Sequence, residues 1–281
     1  MRGDIPKVEV ARVEIAGFVG LVLILSWFQF LPSLLPNWLD LEVPALIPVL
    51  LEGLFMLSPI LAVMIILTLG STDQGVGQFV RTRFRWRIAS IWYLLSVFLF
   101  PLIGAAALIP FVVQGEPFPL NDSHLLLFAL VFSHGFVANL IEAYGWRGYL
   151  QETLQNMYSA LTASILVGIV WVLWHLPLFF HPDGGFESIP LGRYIFLLVG
   201  VSIIFAWMYN ESRGSVVLVT IMHCSFNGSI GLVTMALIDT GGDVRAFVTL
   251  SVISVWVVVL VLLKRTDLQT LTRPFTRGTP R

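Results

Sequence analysis

Apolar residues in this chain come in long unbroken runs, at about 14–32, 44–69, 88–113, 124–150, 158–180, 193–209, 215–238 and 246–263. Most are close to the roughly 20 residues that a helix needs to cross about 30 Å of hydrocarbon. The strands of a membrane barrel would show shorter segments alternating with period two, and these runs do not alternate. The pattern predicts an all-α fold, a polytopic transmembrane helix bundle of about eight spans. No repeat, low-complexity tract or long linker divides the chain, so residues 1–281 read as a single integral membrane domain. A cleavable signal peptide is not expected. The first fourteen residues are mixed in charge, and the run that follows is too long and lacks a small-residue cleavage site.

Composition sharpens the class. Hydrophobic residues make up 57% and charged residues 12%, with a mean hydropathy of +0.88, whereas soluble domains are about a quarter charged. The net charge of −1 points to no class of partner. The single cysteine, Cys224, lies in an apolar run and has no intrachain disulfide partner.

Basic residues concentrate in cytoplasmic loops. Placing the Arg81–Arg87 loop inside also puts Arg2, Lys7, Arg12, Arg147, Arg213 and the tail residues Lys264, Arg265, Arg273, Arg277 and Arg281 inside. Only Arg193 and Arg245 are left outside, a split of 14 to 2 among the 16 basic residues. The other face collects Asp40, Glu42, Glu116, Asp122, Asp183, Glu187, Asp239 and Asp243. Both termini are therefore expected to be cytoplasmic, in a multi-pass protein of a bacterial or archaeal cell membrane. Alternating arginines such as Arg81, Arg83, Arg85 and Arg87 invite a nucleic-acid reading. Beside a span they read better as a topology signal and a contact to lipid phosphate, and no nucleic-acid partner is expected.

Polar residues inside the spans are few. Glu142 and Arg147 stand five residues apart near the end of the fourth run. A charge at bilayer depth costs at least ~2.5–3.5 kcal/mol on insertion scales, which marks such residues as candidates for function. Glu52, near the outer end of its span, reads as a local structural acid, and His134 as a structural histidine. Asn139, one turn before Glu142, is placed to orient its carboxylate. His175 follows Trp171 by one turn and precedes Pro177, where a helix breaks or kinks. Glu142 and His175 are equidistant from a polar turn near Tyr158, so an antiparallel pair of helices brings them to one depth. His223 and Asn227 are i and i+4 on a later span and project from one face. Their donors can converge on one point, as a developing oxyanion requires. Interhelical hydrogen bonding is the bland alternative for that pair.

The three stretches Glu142 to Arg147, Trp171 to His175 and His223 to Asn227 resemble, in order, the motifs of the CPBP family of intramembrane proteases. That family includes the type II CAAX prenyl endopeptidases and bacterial relatives linked to bacteriocin processing or self-immunity. The words Gly-Trp-Arg-Gly-Tyr-Leu and Leu-Trp-His-Leu-Pro are also similar to bacterial members. The motif core is about 124–230. The resemblance implies an endopeptidase acting on a peptide or membrane-protein substrate in the bilayer. Glu142 and His175 would activate a water, His223 and Asn227 would hold the oxyanion, and Arg147, Trp171 and Asn139 would support them. One departure stands out. The family carries two adjacent acids, and the second is Ala143 here, which leaves Arg147 to find a carbonyl or a lipid phosphate instead.

Two histidines and a carboxylate are also a zinc ligand set, here Glu142, His175 and His223. His-Glu-x-x-His is absent, no cofactor is required by the pattern, and the metal-free reading is the one taken. Two other classes stay open: a scaffold or self-immunity protein of the same fold that binds without cutting, and a transporter. The latter would need repeated halves with broken helices, and none is visible. The topology is testable. With Phe84→Cys in a Cys224→Ser background, an impermeant thiol reagent added outside intact cells should leave position 84 unlabelled.

Overall fold

In hydrocarbon every backbone donor and acceptor must be satisfied within the protein, which favours helices. The computed structural model describes residues 7–30, 46–70, 75–115, 122–180 and 189–269, with Pro44 and Phe186, and among these there is no strand. The helices are α1 (Lys7–Trp27), α2 (Leu46–Leu69), the short α3 (Val76–Arg83), α4 (Ser90–Val113) and α5 (Asp122–Ala143). They continue with α6 (Ala160–His175), α7 (Leu191–Glu211), α8 (Val216–Phe226), α9 (Leu232–Thr240) and α10 (Val244–Arg265). Among the described residues, seven spans are long and apolar enough to cross a membrane: six built on α1, α2, α4, α6, α7 and α10, and one running from α8 through α9. The eighth expected span is α5, which is not among those seven. The result is a multi-pass membrane protein.

Local chemistry sets the ends. Ser159, Ser215 and Asp243 are N-caps whose side-chain oxygens accept from the backbone N–H groups of Thr162, Leu218 and Ala246, so α6, α8 and α10 start there. Helix α6 stops at His175 and tightens into a 3-10 turn, Leu176–Phe179, because Pro177 cannot continue the ladder. Two interruptions were not expected from the sequence. Residues Tyr144–Gln151 after α5, and Asn227–Gly231 between α8 and α9, are π-helical. Such wide turns are rare and gather at functional sites.

The span through α8 and α9 is the central element, with 78% of its most apolar stretch inside the protein against 17% for α1. Helix α8 packs on α4 and α5, α6 most extensively on α7, and α10 on α7 and α4. Small residues permit the closest approaches. A Cβ on Gly168 of α6 would meet Ser202 Cβ and Val199 Cα of α7 at 3.0 Å. A Cβ on Gly145 would come within 2.5 Å of Pro59 Cβ on α2. Pro59 has no N–H for the carbonyl of Phe55, and the Ser58 hydroxyl donates to that carbonyl instead, at 2.8 Å. Ser58 Oγ in turn accepts from Trp174 Nε1 at 3.0 Å, and the Phe55 and Trp174 rings stack 4.0 Å apart. The part of α2 around Pro59 is thereby locked to the end of α6 that carries His175. Gly145→Ala should lower stability by about 1–3 kcal/mol through overpacking. Gly17→Ala, with nothing within 4 Å of the new atom, should be near neutral. Thermal unfolding of the two purified variants in one detergent makes the comparison.

Candidate functional site

Glu142 is buried, next to the last residue of α5. Its Oε2 accepts from two indoles, Trp146 Nε1 at 3.1 Å and Trp171 Nε1 at 2.9 Å. Among the described residues nothing donates to Oε1. One oxygen is clamped and the other is free to bind. Trp146, the tryptophan of the Gly-Trp-Arg-Gly word, went unassigned in the sequence. It is reached because the turn between residues 142 and 146 keeps the two side chains on one face.

The turn joining α5 to α6 falls at Asn156–Ser159, next to the expected midpoint, and α6 does run back along α5. The residue of α6 that touches Glu142 is Trp171, and Glu142 and His175 share no hydrogen bond. His175 is half-buried, one turn further along. Its Nδ1 lies 3.0 Å from the Trp171 carbonyl. A carbonyl only accepts, so Nδ1 carries the proton and Nε2 presents a lone pair. The Trp171 ring also meets His223 edge-on, with centroids 5.2 Å apart, and His175 at 5.8 Å. Trp171 is thus the hub that links the acid to both histidines.

His223 is buried among Trp171, Phe205 and Phe226, and among the described residues its ring nitrogens have no hydrogen-bond partner. Asn227, the first residue of the second π-helical stretch, donates from Nδ2 to Asn139 Oδ1 at 3.3 Å. Asn139 Nδ2 reaches Cys224 Sγ at 3.2 Å. This corrects one expectation. Asn139 does not orient the Glu142 carboxylate, because its amide is taken up by α8, where it fixes Asn227. The second Nδ2 hydrogen of Asn227 is left over. The side chain of His134 lies outside the described residues, and Glu52 is exposed, away from this cluster.

Arg147 is fully buried, 1% exposed. Of the alternatives open to it, a carbonyl is the one it takes. Nη1 donates to Ser202 O at 3.2 Å and to Gln151 Oε1 at 3.3 Å, and Nη2 donates to Ser202 Oγ at 3.0 Å. Ser202 Oγ itself donates to Ser164 O at 2.7 Å, which ties α7 to α6 beside Gly168. The Arg81–Arg87 segment is not wholly a surface feature either. Arg83 donates to Gly148 O at 2.7 Å, pairs with Glu152, and sits 4.0 Å over the Phe79 ring. Tyr209 donates to the same carboxylate from the other side, at 2.6 Å. The π-helical stretch is therefore held at Gly145 by α2, at Arg147 by α7 and at Gly148 by α3.

The residues do not fit a metal as the alternative ligand set would require. Among the described residues no group of three or more His, Cys, Asp or Glu side chains is close enough to hold an ion. Glu142, His175 and His223 do not converge as ligands.

A family model described as type II CAAX prenyl endopeptidase Rce1-like matches residues 123–229, which contain every residue of this cluster. The CAAX prenyl protease 2 of Methanococcus maripaludis is 30% identical over 196 residues, covering 64% of this chain and 70% of that protein. The guanidinium network gives a direct test. Ser202→Ala removes an acceptor from a buried cation, which should cost about 1–3 kcal/mol of stability. Arg147→Lys should cost at least as much, since an ammonium cannot reproduce the planar fork. Denaturant unfolding in mixed micelles reads both.

Proposed function

The chain belongs to the family of type II CAAX prenyl endopeptidases, and from that premise we propose that it hydrolyses a peptide bond within the bilayer by a water that Glu142 and His175 activate. The observation that carries this reading is the division of the Glu142 carboxylate. Trp146 and Trp171 hold Oε2, so Oε1 is left to face the reacting water. The lone pair of His175 Nε2 gives that water a second acceptor. Orienting the water from two sides supplies the proximity that a general base needs.

In the reaction Glu142 takes a proton from the water as its oxygen adds to the scissile carbonyl carbon. The carbonyl π pair moves onto oxygen, and His223 with the remaining Asn227 Nδ2 hydrogen stabilises that charge. Glu142 then passes its proton to the amide nitrogen, the C–N bond breaks, and a carboxyl and an amine leave. Asn139 and Trp171 act through others, the first by fixing Asn227 and the second by orienting Glu142. The substrate is a peptide or membrane protein whose cleavage point reaches this depth. The basic end of the bundle, with both termini, faces the cytoplasm in this reading.

Glu142→Gln keeps the shape but cannot take the proton, and turnover of a cleavable peptide should fall by roughly 10²–10⁴-fold. His175→Ala should be similarly damaging. Asn227→Ala should lose about 2.7–4 kcal/mol of transition-state stabilisation at most, because His223 still donates. Glu52→Gln should be mild. Assays at matched expression, on a library that includes prenylated C-terminal peptides, compare all four. Parental activity in Glu142→Gln would sink the glutamate-base mechanism and favour a non-cleaving relative.

A further inference from the structure

At the end of the bundle that carries the Arg81–Arg87 segment is a cavity of about 260 Å³ that shares no residue with the site above. Its walls come from two separate segments. Arg87, Ile88 and Ala89 lead into α4, with Trp92 in the first turn of that helix. Glu211 and Arg213 lie at the end of α7. The two segments are pinned to each other, because the Ser215 hydroxyl donates to the Arg85 carbonyl at 2.5 Å. Neither the Arg87 nor the Arg213 guanidinium has a hydrogen bond or an ion pair among the described residues. Both are exposed.

The backbone at Arg213 is unusual. Its φ of 57° is the sole positive value outside glycine among the described residues. Glycine or asparagine normally fills such a position at the end of a helix. Arg213 N–H bonds Asn210 O at 3.1 Å and Gly214 N–H bonds Tyr209 O at 2.8 Å, so the turn is held while an arginine occupies it. The strain is tolerated where the cation faces the cavity, and strain of this kind gathers at ligand sites. The first turn of α4 adds to the positive potential, since Ala89 offers no side-chain cap to its free N–H groups.

Size and surroundings choose the ligand. The volume is below the ~300–1,000 Å³ of sites for drug-sized molecules, so a headgroup fits and a whole nucleotide does not. Exposed Phe84 and Trp86 stand beside the cavity, and Trp92 lines it against Trp207. Aromatic residues of this kind lie at the level of lipid headgroups. Two arginines against one glutamate leave the walls net positive, and Glu211 can accept from a headgroup hydroxyl. We propose that this cavity binds the phosphate of an anionic phospholipid, with Arg87 and Arg213 as its two cationic arms. The inference is independent of the chemistry assigned to Glu142.

The test uses native mass spectrometry of the full chain in detergent, incubated with phosphatidylglycerol and phosphatidylcholine of matched acyl chains. The parent should retain phosphatidylglycerol over phosphatidylcholine. An arginine at an anionic surface is worth about fivefold in affinity, so Arg87→Gln should lose about fivefold and Arg87→Gln/Arg213→Asn about 25-fold. Asparagine is chosen because it tolerates positive φ. Arg87→Gln, on an exposed segment outside the helices, keeps the test alive should the double variant unfold. Arg81→Gln, exposed on α3 outside the cavity, should bind as the parent does. Undiminished phosphatidylglycerol binding by Arg87→Gln and the double variant overturns the proposal, as does an equal loss in Arg81→Gln. Full displacement of the lipid by millimolar inorganic phosphate or glycerol 3-phosphate also overturns it, because the ligand would then be a soluble phosphate.

Discussion

A buried carboxylate and a buried guanidinium on one helical stretch, with no ion pair between them, constrain everything around them. Leaving either uncompensated in a low-dielectric interior costs several kcal/mol, so each must be matched by hydrogen bonds from elsewhere. Glu142 draws on α6 through Trp171, and Arg147 draws on α7 through Ser202. Both helices must then pass close to the stretch that carries the charges. Gly168 permits that approach by letting α6 and α7 close on Ser202. The packing of three helices is thus subordinate to the solvation of two side chains. Apolar helices in lipid have little hydrophobic reason to choose one partner over another, so polar groups of this kind can decide the arrangement.

The helical class and the seven spans other than α5 were legible because hydrocarbon leaves the backbone few choices, and span boundaries differ by only a few residues except at α1, which begins at Lys7 rather than near 14. Equal distance from a turn set the expectation that Glu142 and His175 share a depth, and the residue of α6 that bonds the acid is Trp171, one turn before His175. What depth does not fix is rotation. Hydropathy predicted neither the π-helical stretches nor the fact that Trp171, rather than His175, would meet the carboxylate. Asn139 was misjudged because proximity along its own helix was weighed above a partner on α8. Arg83 looked like its neighbours Arg81, Arg85 and Arg87 in the sequence. Only the fold distinguishes it, through Glu152 and the carbonyl of Gly148, although two glycines flanking Trp146 and Arg147 were a visible sign of crowding there.

The cluster also separates what is held from what is available. Indoles, amides and carbonyls occupy Oε2 of Glu142, Nδ1 of His175 and one Nδ2 hydrogen of Asn227. Among the described residues, the groups left without partners are the other oxygen of the acid, a histidine lone pair, the His223 nitrogens and the second amide hydrogen. Acceptors and donors both remain. A site that binds water and a carbonyl needs those two kinds of group, pre-positioned so that little reorganisation accompanies reaction.

The wide helical turn from Tyr144 to Gln151 acts as a phase shifter. An α-helix turns 100° per residue, so adding or removing one residue rotates everything beyond it by that angle. Were the stretch to relax to ordinary α geometry with all its residues kept, the chain before it would swing by about 100° against the chain after it. Glu142 could no longer face Trp171 while Arg147 faced Ser202. The two charges are in this sense set like teeth on separate gears of one shaft. Selection acting on either would be felt as a constraint on chain length between them, beyond what Gly145 and Trp146 already require by their identity.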